Sequence, residues 1–195
     1  MKVYIYLFSL FFALNVYSQV QPKLNLSHLP KEEKLSYTIF YNWGVIWKKA
    51  GRGDFILHHA NYKGNKCYEI DLYGRTLSWA ESFFKVRDTL RAYCLEDGFI
   101  PQYYTKRVHE GKFDAVNEAF YSYSKNEIII DLKNTRKDTL HHKGTLKSTL
   151  ATYDMLSVFY FLRSIDLRKA SKGDEFPVEV IGEKSIFHLK FRFLG

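Results

Sequence analysis

The chain has 195 residues, 46% apolar and 26% charged, with 11 Gly and 4 Pro, which fits one folded domain with a sizeable core and excludes disordered and collagen-like classes. Its formal charge of +8 would favour nucleic acid as a partner in a cytosolic chain, but the N-terminus argues for export and removes that reading. With 15 Tyr, 16 Phe and 3 Trp, the composition favours strands over helices.

Met1-Lys2 and the unbroken apolar run Val3 to Val16, followed by Tyr17-Ser18, have the form of a cleavable signal peptide, residues 1–18. The run is shorter than the ~20 apolar residues of a spanning helix, so no transmembrane segment is expected after cleavage. No cysteine follows it that could carry a lipid anchor. Residues 19–195 are therefore expected to form one exported, β-rich domain, periplasmic in a two-membrane host. There the scattered basic residues serve as a solvated surface or attract anionic envelope lipids or glycans.

Leu35, Tyr37, Ile39 and Tyr41 alternate with smaller or polar residues, which predicts a strand, and Asn42-Trp43-Gly44 supplies its turn. A return strand from Val45 is interrupted at Gly51 and Gly53 before Phe55 to Leu57, predicting a bulge or bend. A further strand covers Lys66 to Tyr73. TLSWAESFF then changes period, predicting a short helix from about Thr76 to Phe83 with Thr76 as its cap.

Ser82 to Gly111 reads as two strands hinged at Asp97-Gly98 and closed at Glu110-Gly111. More strands follow at Lys112 to Tyr123, Glu127 to Leu132 and Lys137 to His142, and such short connections require antiparallel pairing. Thr152 to Leu167 opens with Asp154, where a carboxylate complements a helix dipole, and continues through Met155, Leu156, Val158, Phe159, Tyr160, Phe161 and Leu162. A helix with almost no polar face is expected to be buried, with a sheet wrapped round it. Phe176 to Ile181 and Ser185 to Phe193 close the chain as a hairpin.

Two cysteines in an oxidising compartment invite a disulfide. Alternation opposes it, because Cys67 shares a face with Glu69, Asp71 and Tyr73, whereas Cys94 shares one with Leu90 and Ala92.

No nucleophile elbow, P-loop, zinc-protease, C-x-x-C or dinucleotide motif occurs, so no catalytic residue, enzyme activity or cofactor is expected. His58-His59 and His141-His142 point to opposite faces of their strands and form no metal site. Asp88, Glu110, Gly111, Asp154 and Arg163 stand at element ends, as turn residues or structural ion pairs, with Arg87, Arg107 and Arg163 the candidate cations. Trp43, Trp47, Trp79, Tyr103 and Phe159 are the candidate ligand-binding rings, able to line an acyl pocket or stack on sugars, with core packing as the alternative.

Leu35-Ser36-Tyr37 with Gly44 and Gly51, SFFKVRD at Ser82 to Asp88, IPQYYTKRVHEGKF at Ile100 to Phe113, and YDMLSVFYFLR at Tyr153 to Arg163 followed by Gly173 carry a resemblance. The chain resembles the exported family known as domain-of-unknown-function 3108, which has no agreed activity. The resemblance implies a strongly curved antiparallel sheet, a half-open barrel similar to the periplasmic lipoprotein carriers, wrapping one buried α-helix. It also implies further strand beyond Gly195, so that the chain lacks its last strand or strands. The expected function is a binding or carrier module for a lipid or other amphipathic envelope molecule, held between sheet and helix. The alternative is a structural or protein-interaction component of the envelope without a small ligand.

Overall fold

The structure, a computed structural model, describes residues 30–124, 127–134, 140–148, 150–182 and 184–195, without the side chains of residues 43, 46 and 140–142. The predicted leader lies outside the described residues. At Asp97-Gly98 the chain does reverse, joining β4 (Arg87–Leu95) to β5 (Pro101–Glu110). Phe99 takes a left-handed φ of 60° there. Such backbone costs energy for a residue with a Cβ, but it aims the Phe99 ring into the core, where its burial offsets the strain.

Period-two alternation accounts for the remaining strands: β1 (Glu33–Trp43), β2 (Ile46–Tyr62), β3 (Asn65–Thr76), β6 (Phe113–Ser124), β7 (Glu127–Asn134) and β8 (Leu140–Lys147). β1 to β8 lie side by side in chain order, each antiparallel to the next. β1 and β8 are the edges, so the sheet is open; it is neither closed nor strongly curled. Mainly β and antiparallel it is, but a half-open barrel wrapped round a helix is more than these pairings give. Predicted residues Lys137 to Thr139 of the eighth strand lie outside the described residues.

Gly51 and Gly53 do not end their strand; β2 runs unbroken for 17 residues. The irregularity is a slip of register against β1 between Ile39 and Phe40. A Cβ on Gly51 would stand 3.0 Å from the Arg75 carbonyl oxygen, so two backbones pass too closely there for a larger residue.

Two helix predictions need correction. The first shrinks to α1 (Ser78–Glu81), and Thr76 does not cap it: Thr76 ends β3, and its hydroxyl accepts a hydrogen bond from the Val86 N–H at 3.0 Å. In the second, Thr152–Tyr153 form β9, paired in parallel with β10 (Glu175–Ile181), and the helix proper is α2, Ser157–Ser164, followed by a 3-10 turn at Leu167–Lys169. Pairing with the free edge of β10 satisfies the backbone of Thr152 and Tyr153 and overrides their helical spacing. Nor is the helix buried all round. Ser157 and Tyr160 are buried, Val158, Phe159, Phe161 and Leu162 are only half-buried, and Met155 just before the helix is exposed.

β11 (Ile186–Arg192) completes a small sheet in the order β11-β10-β9. With α2 it covers one face of the large sheet. Under α2, Leu57, Ile70, Ala92, Cys94 and Phe99 surround Leu156 and Tyr160; a second cluster, Ala119, Tyr121, Ile128 and Ile130, packs against Ile181 of β10. Full burial of each Leu, Ile or Phe side chain among them contributes roughly 1.5–3 kcal/mol.

Candidate functional site

The space between α2 and the sheet is filled. Phe55 meets Phe159 at a ring-centroid distance of 4.8 Å, and Phe99 meets Tyr160 at 5.4 Å. The ligand expected between sheet and helix therefore has no room directly beneath α2, because aromatic rings from β2, the β4–β5 turn and α2 itself occupy the site. Farther along the same face the layers part. A cleft of about 450 Å³ opens between β5, β6 and β7 on one side and the β10–β11 hairpin on the other. Its walls are Tyr104, Ala119, Tyr121, Leu132, Ile181 and Phe187, with Met155 beside them and Lys106, Asn117, Glu118 and Lys184 as the polar part of its lining. Ala119 matters here, because its methyl stands between the larger side chains of Tyr104 and Leu132 on the neighbouring strands and beside Tyr121 on its own.

The opposite face carries a larger and more polar cleft of about 610 Å³. Tyr62, Tyr93, Tyr103 and Phe120 form one side of it: Tyr62 stacks on Tyr93 at 4.7 Å, and Tyr103 meets Phe120 at 5.0 Å. The Tyr103 hydroxyl donates to the Glu118 carboxylate. Burial and that carboxylate hold the phenol well above its ordinary pKa. Below it, Arg91 donates to both oxygens of Asp71 at 2.7 and 3.0 Å and pairs with Glu69 at 2.8 Å, while Tyr73 donates to Asp71 at 3.0 Å. The hydrogen bonds to Asp71 raise the guanidinium pKa further. This face can stack a ring-shaped polar ligand, although its charged groups are largely taken up with one another.

Asp154 is the best-organised buried carboxylate. Its Oδ1 accepts from the backbone N–H groups of Leu156 and Ser157 at 2.7 and 2.8 Å, and the Ser157 hydroxyl accepts from the Asp154 N–H at 2.9 Å. Two orphan donors of the helix start are thereby satisfied. Complete burial dominates these hydrogen bonds and pushes its pKa up to about 6. A second polar node joins the layers: the Glu179 carboxylate on β10 accepts from Ser148 and from the Thr152 hydroxyl at 3.2 Å, and its other oxygen lies 3.1 Å from Nδ1 of His188 on β11.

The five candidate rings are not brought together. Trp47 is exposed near the tip of the β1–β2 hairpin and stacks on Phe40; Trp79 in α1 donates its indole N–H to the Lys49 carbonyl; Tyr103 lies in the polar cleft; Phe159 packs against Phe55 in the core. Trp43 ends β1, and its side chain lies outside the described residues. Of the element-end residues, Asp88 accepts the His109 backbone N–H at 3.1 Å, and Gly111, at φ 61°, donates to the Lys85 carbonyl. Glu110 bridges to Val86. Arg163 pairs with Glu33 at the start of β1, and Arg87 with Glu81, neither with the acids that the sequence reading had offered them. Cys67 and Cys94 are both free and buried, and the register sets Tyr68, not Cys67, opposite Cys94.

Sequence reasoning missed Glu118, Glu179, Arg91 and the cleft itself. Glu69, Asp71 and Arg91 could have been grouped by aligning two neighbouring strands, since Asp71 stands opposite Arg91. Glu179 had the same signal toward His188, which stands opposite it in the last hairpin, but none toward Ser148 and Thr152, which come from outside that hairpin. Among the described residues no group of three or more His, Cys, Asp or Glu could hold a metal ion, and no helix is long and apolar enough to cross a membrane. His58 and His59 contact Glu69 and Glu96 respectively, and the side chains of His141 and His142 lie outside the described residues.

Comparison with known proteins adds one finding. Residues 36–195 match the family described as protein of unknown function, DUF3108, and the chain belongs to that family. Neither the curated proteins nor the solved structures gave a match.

Proposed function

We propose that this member of the family is an exported binding module, with no catalytic role, that holds the apolar part of an amphipathic envelope molecule in the cleft between its two sheets. One observation carries the reading: two layers that interlock tightly around Tyr160 separate over β6 and β7, leaving about 450 Å³ lined mainly by apolar side chains. That volume lies within the range of small-molecule sites. Two lysines against the single carboxylate of Glu118 leave the lining with a positive balance that suits an anionic head group, and Met155 supplies an adaptable thioether. Export rests on the leader-like Met1 to Ser18. In this reading the open sheet and its cover do the work of the half-open barrel that the resemblance implies. The polar cleft on the other face is the weaker candidate, because its carboxylates already bind Arg91 and Tyr103.

Native mass spectrometry of protein purified without detergent, with dodecanoate added to part of the sample, tests this. One bound amphiphile per chain, lost when Ala119→Trp fills the cleft, is the expected outcome. A ligand-free protein that also ignores dodecanoate would leave the alternative standing, an envelope component without a small ligand.

A further inference from the structure

The β1–β2 hairpin runs past the rest of the sheet. β3 pairs with β2 only from Gly51 onward, so the segment from Phe40 to Lys49 projects as a two-stranded arm, steadied at its base by the Trp79 indole on the Lys49 carbonyl at 2.6 Å. A projecting arm in water should be polar. This one exposes Tyr41, Val45 at 102% and Trp47 at 66%, and α1 and the turn after it add Phe83 at 82% and Phe84 at 54% beside it. Trp79 joins the two parts, with its ring 6.2 Å from Phe83 and the Lys48 ammonium 4.1 Å over its face.

Charge decides what such a surface fits. From Thr38 to Gly53 there is no Asp or Glu, while Lys48, Lys49 and Arg52 are all present. Exposed Trp, Tyr and Phe interleaved with lysine is the composition of membrane-interface belts, where amphipathic rings sit at headgroup depth and lysines reach the phosphates. A protein partner of the usual kind would be met by a patch depleted in lysine.

We infer that the Phe40–Lys49 arm, together with Phe83 and Phe84, docks on the surface of an anionic lipid bilayer. This stands apart from the cleft and does not depend on it. The arm reaches headgroup depth through Val45, Trp47 and Phe83, and Lys48 and Lys49 hold it there. Each basic residue near an anionic leaflet is worth roughly fivefold in affinity, so removing both lysines should weaken binding by about 25-fold, and charge reversal by more.

The three tryptophans of the chain, Trp43, Trp47 and Trp79, all belong to the arm or its base, so intrinsic fluorescence reports on it alone. The chain from Gln19 onward, which holds every described element and lacks the apolar leader, is titrated with phosphatidylglycerol vesicles carrying brominated acyl chains, and with phosphatidylcholine vesicles of the same kind. Quenching with a blue shift on the anionic vesicles, at least tenfold weaker on the zwitterionic ones and reduced as above in Lys48→Glu/Lys49→Glu, is the expected result. Should Trp47→Ser or Phe83→Ser disturb the melting temperature, the lysine pair carries the test by itself, since both side chains are exposed. Absence of quenching on anionic vesicles overturns the inference. So does a blue shift that needs no vesicles and tracks dimer formation in sedimentation, which assigns the arm to a second copy, or crosslinking of the arm to a protein partner without vesicle binding.

Discussion

The same face of one sheet is covered twice in this molecule, and the two covers behave differently. Over β2 to β5, α2 and the Leu156 before it place Tyr160, Phe159 and Leu156 among Phe55, Phe99 and Cys94, and these side chains pack against one another. Over β6 and β7 the cover is the β10–β11 hairpin. It touches the sheet through Ile181 on one side and leaves the 450 Å³ cleft on the other. A helix presents side chains on a cylinder that can reach several strands of a sheet at once, whereas a two-stranded ribbon presents one flat row and leaves room beside it. Stability should reside in the first half and binding in the second.

The strongest way to break this division is Tyr160→Ala. A buried aromatic residue cut to alanine costs about 3–5 kcal/mol, and urea unfolding should show that loss in the midpoint with an unchanged slope. A loss below about 1 kcal/mol would mean that the helix half is not the stable half.

Asp154 sharpens the comparison at the junction of the halves. Its pKa is raised in the folded state to about 6, from 3.8, so the native protein binds the proton more tightly than the unfolded chain does. Stability from this group is therefore greatest below pH ~4, falls as pH rises from ~4 to ~6, and is level above that, by on the order of 3 kcal/mol. Asp154→Asn keeps an oxygen for the Leu156 and Ser157 N–H groups, so the difference in stability between variant and wild type should grow across that window. A constant difference would show the carboxylate to be less buried than the structure places it.

Glu179→Ala should cost about 1–2 kcal/mol, because it removes the charged acceptor shared by the Ser148 and Thr152 hydroxyls and leaves them only the Leu150 carbonyl and each other. It should also loosen the cleft half first, visible as faster amide hydrogen exchange in β10 and β11 than in β3 and β4. Smallest in stability is Met155→Ala, expected to cost below about 1 kcal/mol because the side chain is already exposed. Its effect should appear in dodecanoate affinity. A large stability loss with unchanged affinity would reverse the assignment of the two halves.

Much of the large sheet was legible in the sequence, because a meander writes its partners in order: each strand alternates, and each short polar turn forces the next to pair with the last. The cover was harder to read. Thr152 and Tyr153 carry helix-like spacing, yet their backbone is claimed by β10, which lies more than twenty residues away in the chain. Met155 and Phe159 look equivalent in an apolar run, and only packing separates an exposed side chain from one against Phe55. The cleft was invisible for the same reason. It is a space between β6 and β11, and no local pattern announces where two elements fail to touch.

The clasp between Arg163 and Glu33 has a kinetic meaning. It joins residues 130 apart in the chain, the end of α2 to the beginning of β1, whereas every backbone pairing within the meander joins successive strands. Closing a loop of that length directly costs about 4 kcal/mol in chain entropy, but once the hairpins of the meander have formed in succession most of that distance is already spanned. Assembly should therefore run from the hairpins outward, with the helix arriving last to lock the first strand, and pulse-labelled exchange that found α2 protected before β3 and β4 would contradict that order.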